Sequence, residues 1–159
     1  MLDALQLVED RWTTIMASRE FDSPEGGKRA MRYVKLGIDT KQMPGTVGCD
    51  YPFTAFKLSF GEDVPGKSTF RVVLVAGLYV APDQDGDGDV DASDNPSAAA
   101  VTVMDEIVRA VRTLADDGNY YPYSLEKIKW QLGDTDGDHP GPDHYIVAAE
   151  LVLSQAPIF

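Results

Sequence analysis

Apolar and polar positions follow two different periods along this chain. A 3.6-residue period runs from Asp3 to about Ser18, with Leu5, Val8, Trp12 and Ile15 on one stripe and Glu9, Asp10 and Arg19 elsewhere, and it predicts a helix. The turn-rich segment Phe21–Arg29 ends that helix, and Met31–Asp39 follows as a short strand. Lys41–Pro52 reads as a loop around Pro44, Gly45 and Gly48. In Phe53–Phe60 the period shortens to two, with Phe56, Leu58 and Phe60 alternating with Lys57 and Ser59, the pattern of a half-buried strand. The stretch Gly61–Ser68 then turns the chain into Phe70–Val80, which predicts a long hairpin. Phe70–Val80 is almost continuously apolar, as expected of a strand covered on both faces.

Helical spacing returns from about Ser97 to Ala115. Val101, Met104, Val108, Val111 and Ala115 form one face, widened by Ile107 and Leu114, while Asp105, Arg109, Arg112 and Asp116 occupy the other. Asn95 and Pro96 read as its N-cap and first helical residue, and Asp105 with Arg109 makes an i,i+4 pair. Asp116–Tyr123 is a turn with Gly118 as C-cap. Ile128, Trp130 and Leu132 then alternate with Lys127, Lys129 and Gln131 in a one-sided strand. Gly133–His144 forms a second acidic turn. Tyr145–Ser154 closes the pattern as a strand whose two rows are both mostly apolar. Phe70–Ala115 (strand, loop and helix) is the unit against which the rest packs. The order of elements predicts an α+β fold: a mainly antiparallel sheet of four to five strands with two helices packed on one face, in a single domain over residues 1–159.

Composition narrows the class. With 159 residues, 43% hydrophobic and 25% charged, the chain can bury one substantial core. No apolar run approaches the roughly 20 residues of a membrane span, and the start of the sequence lacks the pattern of a signal peptide. The lone cysteine, Cys49, cannot form an internal disulfide and reads as a small packing residue. The net charge is −12, of which six charges fall in one loop, leaving −6 elsewhere. That balance repels phosphate and excludes nonspecific nucleic-acid binding, and it also fits a halophilic source.

Three motifs could carry chemistry. Gly61–Ser68 matches the phosphate-loop pattern GxxxxGK[ST], but such a loop must open a helix, whose free N–H groups hold the anion. An apolar, β-branched strand follows instead, and Glu62 and Asp63 would set negative charge beside the phosphates, so the segment reads as a hairpin connection. His139, Asp143 and His144 lie within six residues and could ligate a transition metal, but such a stretch is more often a Pro-Gly turn leading into a strand, and it is read so here. The third motif is Asp83–Asp94, which resembles the twelve-residue calcium loop of EF-hands, particularly the DxDGDGxVxxxD form of dockerin modules. In that resemblance Asp83, Asp85 and Asp87 take positions 1, 3 and 5, and Gly88 makes the sharp turn. The Asp89 carbonyl, Asp91 (directly or through water) and Asp94 complete the ligands of a calcium ion. Asp94 is shorter than the usual closing glutamate, a strand rather than a helix enters the loop, and no second loop pairs with it. A solvated acidic loop is the alternative. Neither a nucleophile constellation nor a carboxylate pair in an apolar pocket stands out, so an enzyme is not expected.

The chain as a whole resembles the tail terminator (tail completion) proteins of tailed phages. The resemblance rests on the opening helix, the Tyr51-Pro52 entry into Phe53–Phe60, the strand Phe70–Val80, one helix of the AVTVMDEIVRAVRTL kind, and two closing strands, the last reached through HPGPDHY. It covers most of the sequence, carries no individual site residue, and leaves the acidic loop as a departure. It implies a structural virion protein: a homo-oligomeric ring, commonly a hexamer, that caps the tail tube, stops its polymerisation and joins tail to neck. The implied partners are copies of itself, the tail tube protein and head–tail connector proteins, with DNA passing through without specific binding. The alternative function is a calcium-dependent protein-binding module of the dockerin or adhesion kind.

Overall fold

The computed structural model describes residues 2–38, 51–91, 94–116, 124–134 and 143–155. In chain order these form α1 (Leu2–Met16), β1 (Glu20–Asp22), β2 (Lys28–Ala30), β3 (Arg32–Ile38), β4 (Phe53–Val64), β5 (Lys67–Tyr79), α2 (Pro96–Asp116), β6 (Ser124–Asp134) and β7 (His144–Gln155). Five strands make one sheet in the order β3-β4-β5-β7-β6, and β1 pairs with β2 in a separate hairpin. All neighbours in the large sheet are antiparallel except β3 and β4. The fold is therefore α+β with a mainly antiparallel sheet, as the order of elements predicts.

The strand β5 is central because its sequence allows nothing else. Val72, Leu74, Ala76 and Leu78 alternate onto one face and are fully buried. Their register partners Leu151, Ala149 and Val147 in β7, with Leu153 beyond them, continue the same layer. Both helices cover this face: Leu5, Val8, Trp12 and Met16 from α1, and Ile107, Ala110, Val111 and Leu114 from α2. Burying one such aliphatic side chain contributes about 1.5–3 kcal/mol, which makes this layer the main hydrophobic contribution among the described residues. Trp12 fixes α1 to the sheet with an indole N–H donating to the Thr54 hydroxyl at 3.1 Å inside the core.

The other face of the sheet differs. Around Tyr51, Phe53 and Ala55, with Tyr79 against them, it holds a small buried cluster. Further along, Arg71, Val73, Ile146, Ala148 and Glu150 are only half-buried. Among the described residues no helix lies on this side.

Four local expectations need correcting. On α2 the expected Ile107, Val108, Val111 and Leu114 are buried together with Ala100 and Ala110, but Val101, expected on the same face, is 63% exposed. Val101 lies about 100° round the helix from the buried Ala100, which turns it away from the contact. Glu9 is buried rather than outward-facing, because it shares the azimuth of Leu5, Trp12 and Met16. The segment after α1 contains the β1–β2 hairpin, closed by Gly26 and Gly27 at positive φ, where a plain turn was expected. The third strand, β3, joins the sheet parallel to β4, against the antiparallel trend. The Asn95 cap is as expected: its side-chain oxygen accepts from the Ala98 N–H at 3.1 Å. The Asp105–Arg109 pair also forms, at 3.0 Å. Cys49, Gly118 and the Asp136–Pro142 part of the second acidic turn lie outside the described residues.

Candidate functional site

The acidic loop leaves the end of β5 and returns to the N-cap of α2, so it is held at both ends. At its entry, the Val80 N–H donates to the Asp143 carbonyl at 3.0 Å and the Ala81 N–H to the Asp22 carboxylate at 3.1 Å. Gly86 and Gly88 stand at φ 75° and 92°, values that only glycine adopts without strain, and they turn successive amides inward. Asp83 receives two of those amides, Gly86 at 3.0 Å and Gly88 at 2.8 Å, one on each carboxylate oxygen. Asp85 accepts from the Asp87 N–H at 3.1 Å, and Asp87 from the Asp89 N–H at 2.8 Å. The aspartates therefore build the loop with their own side chains, the local bonding that makes Asp a turn residue.

Asp94 closes the ring of bonds. One of its oxygens accepts from Gln84 at 2.7 Å and from Asp85 at 3.2 Å, and the other accepts from Asp91 at 2.9 Å. One carboxylate thus ties the start of the loop to its end.

Asp83, Asp85 and Asp87 converge, with one oxygen from each within 4.8 Å of the other two. Asp83 is half-buried, and Asp85 and Asp87 are exposed. At that spacing each pair of carboxylates repels by about 1 kcal/mol even in water. The donor set is hard oxygen of high negative charge, which suits a hard cation rather than a thiolate- or imidazole-seeking metal, so this cluster could hold a metal ion. Asp89, Asp91 and Asp94 stand outside the convergent three. Val90 is 64% exposed, so the apolar position of the motif does not pack here.

The other two motifs resolve differently. Gly61–Ser68 spans the end of β4, a two-residue connection at Pro65 and Gly66, and the start of β5, with Val64 paired to Lys67. Gly66 has φ 87°, which the tight turn requires. Strand follows strand, so the helix N-terminus of a phosphate loop does not occur there. Of the histidine motif, His139 lies outside the described residues. His144 opens β7 and packs edge-on against Tyr51, with ring centroids 4.5 Å apart, and against Tyr79 at 5.2 Å.

Sequence reasoning missed two contributors. Asp22, in the unexpected β1–β2 hairpin, holds the loop entry, and nothing in the local sequence signals a partner 59 residues away. Tyr79 is paired with His144 in register, and its phenol pKa is raised by burial and then by the carboxylates of Asp143 and Asp22. Only the pairing of β5 with β7 reveals that cluster.

No protein-family model matches this chain, and no curated protein matches it.

Proposed function

We propose that this protein is a structural component of a tailed-phage virion, a homo-oligomeric ring that caps the tail tube, ends its polymerisation and joins the tail to the neck. The observation that carries this reading is the sheet whose helices, among the described residues, lie on one side only. Its second face keeps Val73, Ile146 and Ala148 half-buried, and a neighbouring copy would complete their burial. No catalytic step belongs to this reading. The opening helix, the strands β4 and β5, the helix α2 and two closing strands, on which the resemblance to the tail terminator family rests, follow one another in that order, with the β1–β2 hairpin added after the first helix. Light scattering on the purified chain, with and without tail tubes, is the test. A ring-sized mass, or a mass that rises on adding tubes, is expected, whereas a monomer at high concentration with tubes present would sink it.

One observation favours a second reading, a calcium-dependent protein-binding module: the convergence of Asp83, Asp85 and Asp87 in a loop of EF-hand-like spacing. Calcium is the cation proposed for that cluster under either reading. Asp89 would contribute its carbonyl, Asp91 would reach the ion directly or through water, and Asp94 would complete the shell after releasing the amides of Gln84, Asp85 and Asp91. A module of this kind would stay monomeric with or without calcium, so the same mass measurement separates the two.

A further inference from the structure

We propose that the links Asp85–Gly86 and Asp87–Gly88 are two sites of spontaneous aspartate isomerisation, and that Asp83 is the residue that holds both in check. The inference needs neither a ring nor a bound cation. In an aspartyl–glycine link the glycine nitrogen can attack the carboxyl carbon of the preceding side chain. A C–N bond forms, and one carboxyl oxygen leaves as water with the amide proton and a proton from solvent, which closes a succinimide. Water then opens one of the two imide carbonyls and returns both protons. The product is either the original link or an isoaspartyl link, so the sum is an isomerisation that consumes nothing. Glycine favours the attack because no Cβ shields its nitrogen.

Both links are open to this chemistry. Asp85 and Asp87 are exposed, and a Cβ built on Gly86 or Gly88 would meet nothing within 4 Å. One carboxylate opposes it. The Gly86 N–H donates to one oxygen of Asp83 at 3.0 Å and the Gly88 N–H to the other at 2.8 Å. Attack requires each amide to give up its proton. A bond to a carboxylate is among the stronger hydrogen bonds, and a negative charge beside the nitrogen disfavours the amide anion. The reacting carboxylates are engaged as well, Asp85 by the Asp87 N–H at 3.1 Å and Asp87 by the Asp89 N–H at 2.8 Å. Removing Asp83 therefore releases both nucleophilic nitrogens at once. Isomerisation at either link would insert the aspartate Cβ into the backbone and carry that carboxylate out of the convergent three. Asp83 thus preserves the cluster over time as well as building the loop.

The test uses the full chain, incubated at neutral pH with chelator present. Isoaspartate is counted by enzymatic methylation and placed by peptide mapping with mass spectrometry, and circular dichroism confirms folding. The unaltered chain is followed folded and in urea, beside folded Asp83→Ala. Isoaspartate at 85 and 87 is expected to form about tenfold or more slowly in the folded chain than in urea, the factor that one charge-assisted hydrogen bond represents. Asp83→Ala should remove most of that protection at these two links and leave Asp117–Gly118 and Asp136–Gly137 unchanged. Should Asp83→Ala fail to fold, Asp83→Asn decides: it keeps one acceptor oxygen, so one of the two links should accelerate more than the other. Equal rates in the folded chain and in urea would overturn the inference. So would a folded Asp83 variant with unchanged rates, or one in which all four links accelerate alike, since that is general loosening of the fold.

Discussion

At position 77 the two central strands meet so closely that only a hydrogen fits. Gly77 is the register partner of Phe53, and a Cβ built on it would lie 2.2 Å from the Phe53 ring. Phe53 is fully buried, so its ring, lying over the glycine, cannot move out to water. Gly77→Ala is expected to destabilise the fold by about 1–3 kcal/mol, the usual cost of overpacking. Urea unfolding would show it, and Phe53→Leu in the same background should restore part of the loss. An unchanged midpoint in Gly77→Ala would show that the ring can yield. Two residues on, Tyr79 supplies a pH effect. Its pKa is raised above 10.0 by burial first and by Asp143 and Asp22 next. A raised folded-state pKa stabilises the fold below the unfolded value and loses that contribution as pH rises through the folded one. The urea midpoint should therefore decline above pH 10, less steeply in Tyr79→Phe than in the unaltered chain. Equal slopes in the two proteins would remove Tyr79 from the account.

The acidic loop is the element with the most to lose or gain from a cation. Asp83, Asp85 and Asp87 hold their oxygens within 4.8 Å of one another, and their mutual repulsion opposes folding of the loop. A divalent cation that binds the folded loop better than the unfolded chain stabilises it by mass action. Millimolar calcium is expected to raise the melting temperature and to release heat in calorimetry. Asp85→Asn, at an exposed position, should reduce both, and no heat together with an unchanged melting temperature would count against a calcium loop. This loop was legible in the sequence because its bonds run between residues at most ten apart. The α2 start, the β4–β5 turn and the core strand β5 were legible for the same reason: each is specified by a local cap, turn or apolar run. What was hidden depends on distant partners. The exposure of Val101 depends on how α2 lies on the sheet, and the parallel entry of β3 on a neighbour that local periodicity does not name. The β1–β2 hairpin has strands of three residues, too short to display a period.

For the whole molecule, the two faces of one sheet should respond oppositely to the same kind of substitution. Leu151 and Ile146 lie in one strand, β7, but on opposite sides of it. Leu151 is fully buried beneath the helices, whereas Ile146 is half-buried on the helix-free face. An aspartate at 151 would place a carboxylate where no water reaches, a cost of several kcal/mol against a total stability of about 5–15 kcal/mol. Leu151→Asp is therefore expected to unfold the chain, with loss of circular dichroism and, on the proposed ring reading, of assembly with it. Ile146→Asp keeps part of its side chain in water and should leave the circular dichroism intact. If a neighbouring copy covers that face, the same carboxylate is desolvated on assembly, and the mass in solution should fall toward that of a monomer. Among the described residues β3 and β6 are the outer strands of the sheet, and an open edge can recruit further strands without limit. A closed ring ends that addition through its geometry, and a tube-capping protein must likewise accept one neighbour and refuse the next. Ile146→Asp retaining the full oligomer mass would show that the copies meet elsewhere, at the edges or through the helix layer.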